Sequence, residues 1–271
     1  MNNIIVNESS SNIRLLARQA LDGQWKKVTL AVIIYMIAIM VPTLILEFLF
    51  GSLNPENLEA AMYSTDIPTE MYAGTTISST YSLLVSGAFT FGISLYFIQI
   101  IRTRNSEYGH IFAGFGHFFK TLGLYLFMSL FIALWTMLLI VPGIIASIRY
   151  SQAFYIMADD PSKSIRQCMN ESKAMMNGNK AKIFCLQLSF IPWMLLAYLV
   201  FIIVAAVGGF AAAFIPAIGI ILIIIGTLLF LAVICVIAAY MLGATTIFYE
   251  MVTGRLRPAG ESIHAPENPQ I

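Results

Sequence analysis

Residues 183–247 run for 65 positions without one charged side chain. A helix needs only about 20 apolar residues to cross a ~30 Å hydrocarbon core, so this stretch holds two crossings. Gly208-Gly209 and Pro216 bound the expected turn, which places the spans at 183–207 and 217–247. Lys182 precedes the stretch and Arg255 follows it, and an even number of crossings leaves both on one side. Composition agrees. Of the 271 residues 59% are hydrophobic and 11% charged, against roughly 25% charged in soluble domains. A net charge of +1 gives no general attraction for nucleic acid.

After a polar start at residues 1–10, Ile13, Leu16, Ala17, Ala20 and Leu21 recur at helical spacing up to Gly23. That pattern predicts an amphipathic helix lying on the membrane surface, with Trp25 and its neighbours Lys26 and Lys27 as an interfacial anchor. Residues 28–50 form the first span, with Pro42 inside it and Glu47 near its far end. The loop 51–80 carries Glu56, Glu59, Asp66 and Glu70 but no Lys or Arg, which places it outside. A second span, 81–101, leads back to Arg102 and Arg104. Residues 111–120 predict a second interfacial element, where His110 and His117 read as interfacial side chains and not as metal ligands. His264 lies in a polar tail, and Cys168, Cys185 and Cys235, without a CxxC, read as small apolar residues.

Residues 121–148 are again uncharged, but Lys120 stands before them and Arg149, Lys163, Arg166, Lys173, Lys180 and Lys182 after. One crossing would put that second basic group outside, against the charge rule. A break at Pro142 and Gly143 resolves this: 121–141 spans outward, and 143–158 returns as an arm of only about 24 Å. Arg149 is then the one charge within a span. It snorkels to the interface, pairs with Glu47 at a similar depth, or forms an intramembrane cation site for an anionic or lipidic ligand.

Asp160 as N-cap and Pro161 as first helical residue predict a helix over 162–177. Ile165, Cys168, Met169 and Met176 share one side, with Lys163, Arg166 and Lys173 elsewhere, and Lys180 and Lys182 extend the basic segment past Gly178. Such a helix anchors to a cytoplasmic leaflet or docks a partner protein. Tyr249 and Glu250 mark the interfacial inner end of the last span, and Arg255 and Arg257 hold the tail inside. Placing Gly23 over Gly178 aligns 17–28 with 172–183, and 112–121 matches more weakly, which suggests an internal repeat. The resulting fold is all-α: six transmembrane helices in three hairpins, introduced by amphipathic interfacial helices. Its segments are 1–27, 28–101, 102–158, 159–182, 183–250 and 251–271, with both termini cytoplasmic.

The chain resembles the bacterial integral membrane proteins of domain of unknown function 975. The resemblance is carried by Ala17-Arg18 to Trp25, Ile111-Phe112 to Gly114-Phe115, Leu134-Trp135, Pro142 to Ile145, and Tyr150-Ser151. Ala158 to Pro161, Ser172-Lys173 with Met175-Met176, Gly178 to Lys180, Leu188 to Ile191 with Trp193, and Phe248 to Glu250 complete it. It implies a six-span protein of the bacterial inner membrane and supplies no activity.

No HExxH, GxGD, GxSxG or Walker A motif is present, and the adjacent Asp159 and Asp160 point apart on a helix. No catalytic residue, metal ligand or cofactor site is therefore read. Intramembrane polar residues are few, chiefly Arg149, Gln152 and Gln187. The expected role is a non-catalytic accessory, assembly, immunity or lipid-interacting membrane module whose partners are lipids and a protein at the basic helix. The alternative is a transporter of a small or hydrophobic solute that uses Arg149 within the bundle.

Overall fold

The computed structural model describes residues 4–50 and 69–256; residues 51–68, which hold most of the expected external loop, and Arg257 and His264 lie outside the described residues. Among the described residues the chain is helical with no strand. The α-helices are α1 (Ser10–Ala20), α2 (Trp25–Leu49), α3 (Thr69–Thr103), α4 (Phe118–Leu138), α5 (Ile140–Tyr150) and α6 (Ala153–Asp159). They continue with α7 (Ile165–Met175), α8 (Lys180–Leu188), α9 (Ile191–Phe214) and α10 (Pro216–Val252), and a 3-10 helix, Tyr108–His117, precedes α4. Five segments are long and apolar enough to cross a membrane: Trp25–Leu49, Tyr72–Thr103, Tyr108–Leu138, Lys180–Phe214 and Pro216–Val252. By length and composition the chain is a multi-pass membrane protein.

Helix α3 is the hub, packing on α2, the 3-10 helix, α4, α6 and α10. Glycine makes this possible. A Cβ at Gly92 would run into the carbonyl of Ile111, and one at Gly114 into the carbonyl of Ala88, so the 3-10 helix lies backbone to backbone on α3. The hydroxyls of α3 turn inward on their own helix: Thr80 donates to Thr76 O at 2.8 Å, Thr90 to Ser86 O at 2.7 Å and Ser94 to Thr90 O at 2.7 Å. Such back-bonding satisfies a polar stripe without a partner helix or a water path.

Apolar side chains divide the bundle into two ends. Along α10, Ile218, Ile221, Leu228 and Val236 are exposed, whereas Ala239, Ala244 and residues 246–252 are buried. At ~1.5 Å per residue its 37 residues reach about 55 Å, far beyond a ~30 Å hydrocarbon layer. The excess is the buried end, here called the base. There Phe154, Tyr155, Met157, Phe190, Phe248 and Tyr249 form one core with α1, α7 and α8.

Several boundaries differ from the sequence reading. The turn after α4 falls at Leu139 (φ −162°, ψ 146°), not at Pro142-Gly143. Pro142 is the third residue of α5, where its missing N–H has no intrahelical acceptor to serve. Gly143 instead lets α5 close on Thr136 of α4. The return arm is interrupted at Ser151-Gln152, leaving helices of 11 and 7 residues, which is why it does not count among the five long segments. The chain nevertheless doubles back, because Lys120 Nζ near the start of α4 donates to Pro161 O just beyond α6. Around the turn, Met137, Leu138, Leu139, Ile140 and Val141 are all exposed, Met137 by 86%.

The last hairpin turns at Ile215, directly before Pro216. Gly208-Gly209 lie inside α9, and Gly208 faces Ile223 and the Gly219 carbonyl of α10; this glycine permits helix contact and makes no turn. Asp160-Pro161 does not start α7 either. Asp160 Oδ1 accepts from Ser162 N at 3.0 Å in a tight turn, and the N-cap is Ser164. Its Oγ accepts from Gln167 N at 3.3 Å, and Gln167 Oε1 accepts from Ser164 N at 2.8 Å, a capping box.

Residues 9–28 and 164–183 correspond closely at a fixed offset of 155 positions. Ser9 and Ser164 both N-cap helices of 11 residues. Ile13, Ala17, Leu21 and Val28 in one segment match Cys168, Ser172, Met176 and Ile183 in the other, all fully buried. Gly23 and Gly178 both take left-handed backbone, φ 73° and 83°, where glycine alone is unstrained. The weaker third copy is a 3-10 helix, and its Gly116 is not among the left-handed glycines. The apolar sides of α1 and α7 are covered by protein, α1 by α8 and α10 and α7 by α4, α5 and α6. The sequence reading laid both on lipid; amphipathic periodicity shows that a face is buried without showing what buries it.

Candidate functional site in the charged base

The base holds a cluster of charge built from three helix ends. Arg102 closes α3, Asp159 closes α6, Tyr249 and Glu250 lie in the last turns of α10, and Arg255 follows it. Arg102 Nε and Nη2 both donate to Glu250 Oε1, at 2.9 and 2.6 Å, and its Nη1 donates to Asp159 Oδ1 at 2.7 Å. Arg255 Nη1 and the Tyr249 hydroxyl donate to Asp159 Oδ2, at 2.6 and 3.1 Å. The Tyr249 ring stacks on Tyr155, 5.5 Å between centroids. Two guanidinium groups and two carboxylates thus balance, and the Glu250 side chain is only 4% exposed.

A cavity of about 820 Å³ opens beside this cluster, lined by Asp159, Lys163, Glu171, Tyr249 and Arg255 among others. Burial alone would raise the Asp159 carboxyl, but the hydrogen bonds and charges of Arg102 and Arg255 outweigh it and hold it below the usual carboxylate range. An acid catalyst needs its proton near neutral pH. Asp159 is held ionised, with both oxygens already accepting, so the arrangement clamps helices and offers no free acid or base. Among the described residues no group of three or more His, Cys, Asp or Glu could hold a metal ion.

Because the folded pKa of Asp159 lies below its unfolded value of about 3.9, the clamp's contribution is complete above that pH. It is lost as pH falls through the depressed folded value. Melting curves from pH 7 down to about pH 3 should show an acid-side loss that Asp159→Asn lacks. An identical acid profile in the variant would remove the clamp from the account.

The sites singled out from sequence scatter. Glu47 accepts from Ser78 Oγ of α3 at 3.0 Å, whereas Arg149 lies with residues of α7 and α8; no ion pair joins the two. Lys163 pairs with Glu171 at 2.7 Å, Arg166 and Lys173 are exposed, and Lys182 Nζ reaches Asn7 O at 3.4 Å. Trp25 packs edge-on against Tyr240 at 5.8 Å. Tyr249 and Glu250, read as interfacial, belong to the clamp. Arg102 and Arg255 were topology markers in the sequence, and Asp159 was only one of two adjacent aspartates that point apart, although it stands in one of the segments that carry the family resemblance.

Asn179 is a second residue that pattern reading passed over. It is fully buried, its Oδ1 accepts from Val6 N at 2.9 Å, and its Nδ2 donates to the carbonyls of Ile4 and Met175, each at 2.8 Å. It pins the N-terminal segment to the start of α8, 173 residues later. Asn179→Ala should cost about 1–3 kcal/mol and speed proteolysis before residue 10 first. Cleavage there at the wild-type rate would show that the pin is not what holds the segment.

No curated protein and no solved structure matches the chain. A family model does match, over residues 1–145 and 136–256, and so across nearly the whole sequence. The chain accordingly belongs to the family described as Protein of unknown function (DUF975).

Proposed function

We propose that the protein is a non-catalytic membrane module that works through its base, docking an acidic partner protein on the outward cations of α7. In this reading the five long apolar segments and the interrupted α5–α6 arm make six crossings of a bacterial inner membrane. Both termini and the base then face the cytoplasm, as the positive-inside rule requires of so basic a layer. One observation carries the proposal. The apolar side of α7 is spent inside the protein while Arg166 and Lys173 stand exposed and outside the ion pairs among the described residues. A helix whose greasy face is already covered has no need of lipid, and its free charges suit a protein surface. The clamp supports this by fixing α3, α6 and α10 as a rigid seat.

Affinity purification in mild detergent tests it. A stoichiometric partner that is lost on Arg166→Glu together with Lys173→Glu is expected. If no partner is retained and reconstituted vesicles instead show solute flux abolished by Arg149→Ala, the transporter reading replaces it. Topology is tested separately, by Lys163→Cys or Lys173→Cys in a background without Cys168, Cys185 and Cys235. Labelling of either by a charged reagent from outside intact cells would overturn the six-crossing arrangement.

A further inference from the structure

A second, smaller cavity of about 300 Å³ lies where the end of α5 meets α7 and the start of α8. Its lining is Arg149, Asn170, Lys173, Ala174, Asn177 and Lys180: three cations, two carboxamides and no carboxylate. Glu171, the nearest acidic neighbour in sequence, is occupied by Lys163. Arg149, Lys173 and Lys180 take part in none of the ion pairs among the described residues. Arg149 Nε is buried and has no hydrogen-bond partner, and a buried charged donor left unsatisfied is among the costlier defects a fold can carry. The backbone there is tightly held, because Arg149 O accepts from Ser172 Oγ at 2.8 Å.

We propose that this cavity binds a phosphate group, either free inorganic phosphate or the phosphate of an anionic lipid headgroup. A tetrahedral oxyanion answers this unpaired positive charge. The planar guanidinium of Arg149 offers N–H groups in a fork that matches two phosphate oxygens. Lys173 and Lys180 supply point charges, and the Asn170 amide can donate to a further oxygen. Lys180 is also the first residue of α8, whose N-cap Asn179 spends its side chain on the N-terminal segment, so the positive end of that helix adds to the field. The cavity shares Lys173 with the docking surface, whereas Arg166 belongs to the docking surface alone.

The test uses the full chain in detergent, stripped of co-purifying lipid. Inorganic phosphate and short-chain phosphatidylglycerol are titrated separately, and binding is followed by the shift in melting temperature. Saturable binding of at least one is expected, weakened at least tenfold by Arg149→Gln and by Lys180→Gln, partly retained in Arg149→Lys, and unchanged in Arg166→Gln. Saturation by phosphatidylglycerol but not by phosphate assigns a lipid headgroup; saturation by inorganic phosphate assigns the free ion. Lys180→Gln, which alters a partly exposed side chain, covers the case in which Arg149→Gln does not fold. No saturable binding of either probe overturns the proposal. So does binding that survives both cavity variants, or that Arg166→Gln weakens as much. Loss of the docking partner in Arg166→Glu alone, with phosphate binding intact in Arg166→Gln, separates the two readings.

Discussion

Glu250→Ala should lower the melting temperature of the detergent-solubilised protein by about 5–10 °C, equivalent to about 2–3 kcal/mol in a chain of this size. Two hydrogen bonds from Arg102 end on Glu250 Oε1, and the carboxylate is almost wholly enclosed. Removing one partner of a buried pair costs about 3–5 kcal/mol, because the other charge remains. Here the cost is smaller, since Arg102 keeps its bond to Asp159 and is itself about a third exposed. Adding Arg102→Ala should cost much less than it does in the wild type, because the two side chains act as a unit. Glu250→Ala melting within a degree or so of wild type, or strictly additive single losses, would falsify the clamp as a stabilising element.

A comparable or larger loss is expected where α3 meets the 3-10 helix. Gly92→Ala and Gly114→Ala each push a methyl group into a backbone carbonyl, of Ile111 and of Ala88. Overpacking typically costs about 1–3 kcal/mol when side chains can rotate away. A carbonyl in a helix has no rotamer to change, so each substitution should reach about 3 kcal/mol or more. The double variant should fall short of the sum, since the first substitution already separates the two elements. Gly109→Ala and Gly116→Ala meet no atom within 4 Å and serve as controls from the same helix. Equal tolerance at all four positions would show that α3 and the 3-10 helix are not in close contact.

How far the sequence carried depended on whether a feature was local. The return of the chain after α4 followed from charge parity, and the break lies three residues from its expected place. Proline locates a helix start from within the first turn, so the true break precedes it. At α7 the shift is in the opposite sense, from Asp160-Pro161 forward to Ser164, because Asp160 and Pro161 make a turn before the helix, although Ser164 and Gln167 show the spacing of a capping box. The match between 17–28 and 172–183 was visible because both copies keep the glycine and the periodic small or apolar positions. The clamp was not visible. Its bonds join residues 57, 96 and 148 positions apart, and no local pattern encodes which of several basic residues meets a given carboxylate. Arg149 stood out as the lone charge in an apolar stretch, but its neighbours come from α7 and α8 and not from the helix that holds Glu47.

The single-residue corner at Leu139 bears on how the molecule is seen from across the bilayer. Five successive side chains there, Met137 to Val141, are bare hydrocarbon or thioether. Only the backbone there can meet water, through the open N–H groups at the start of α5. If the arm crosses, the corner therefore sits at the far interface with its side chains turned back into the oil. A cysteine placed at 139 should then react faster with reagents that dissolve in lipid than with charged ones.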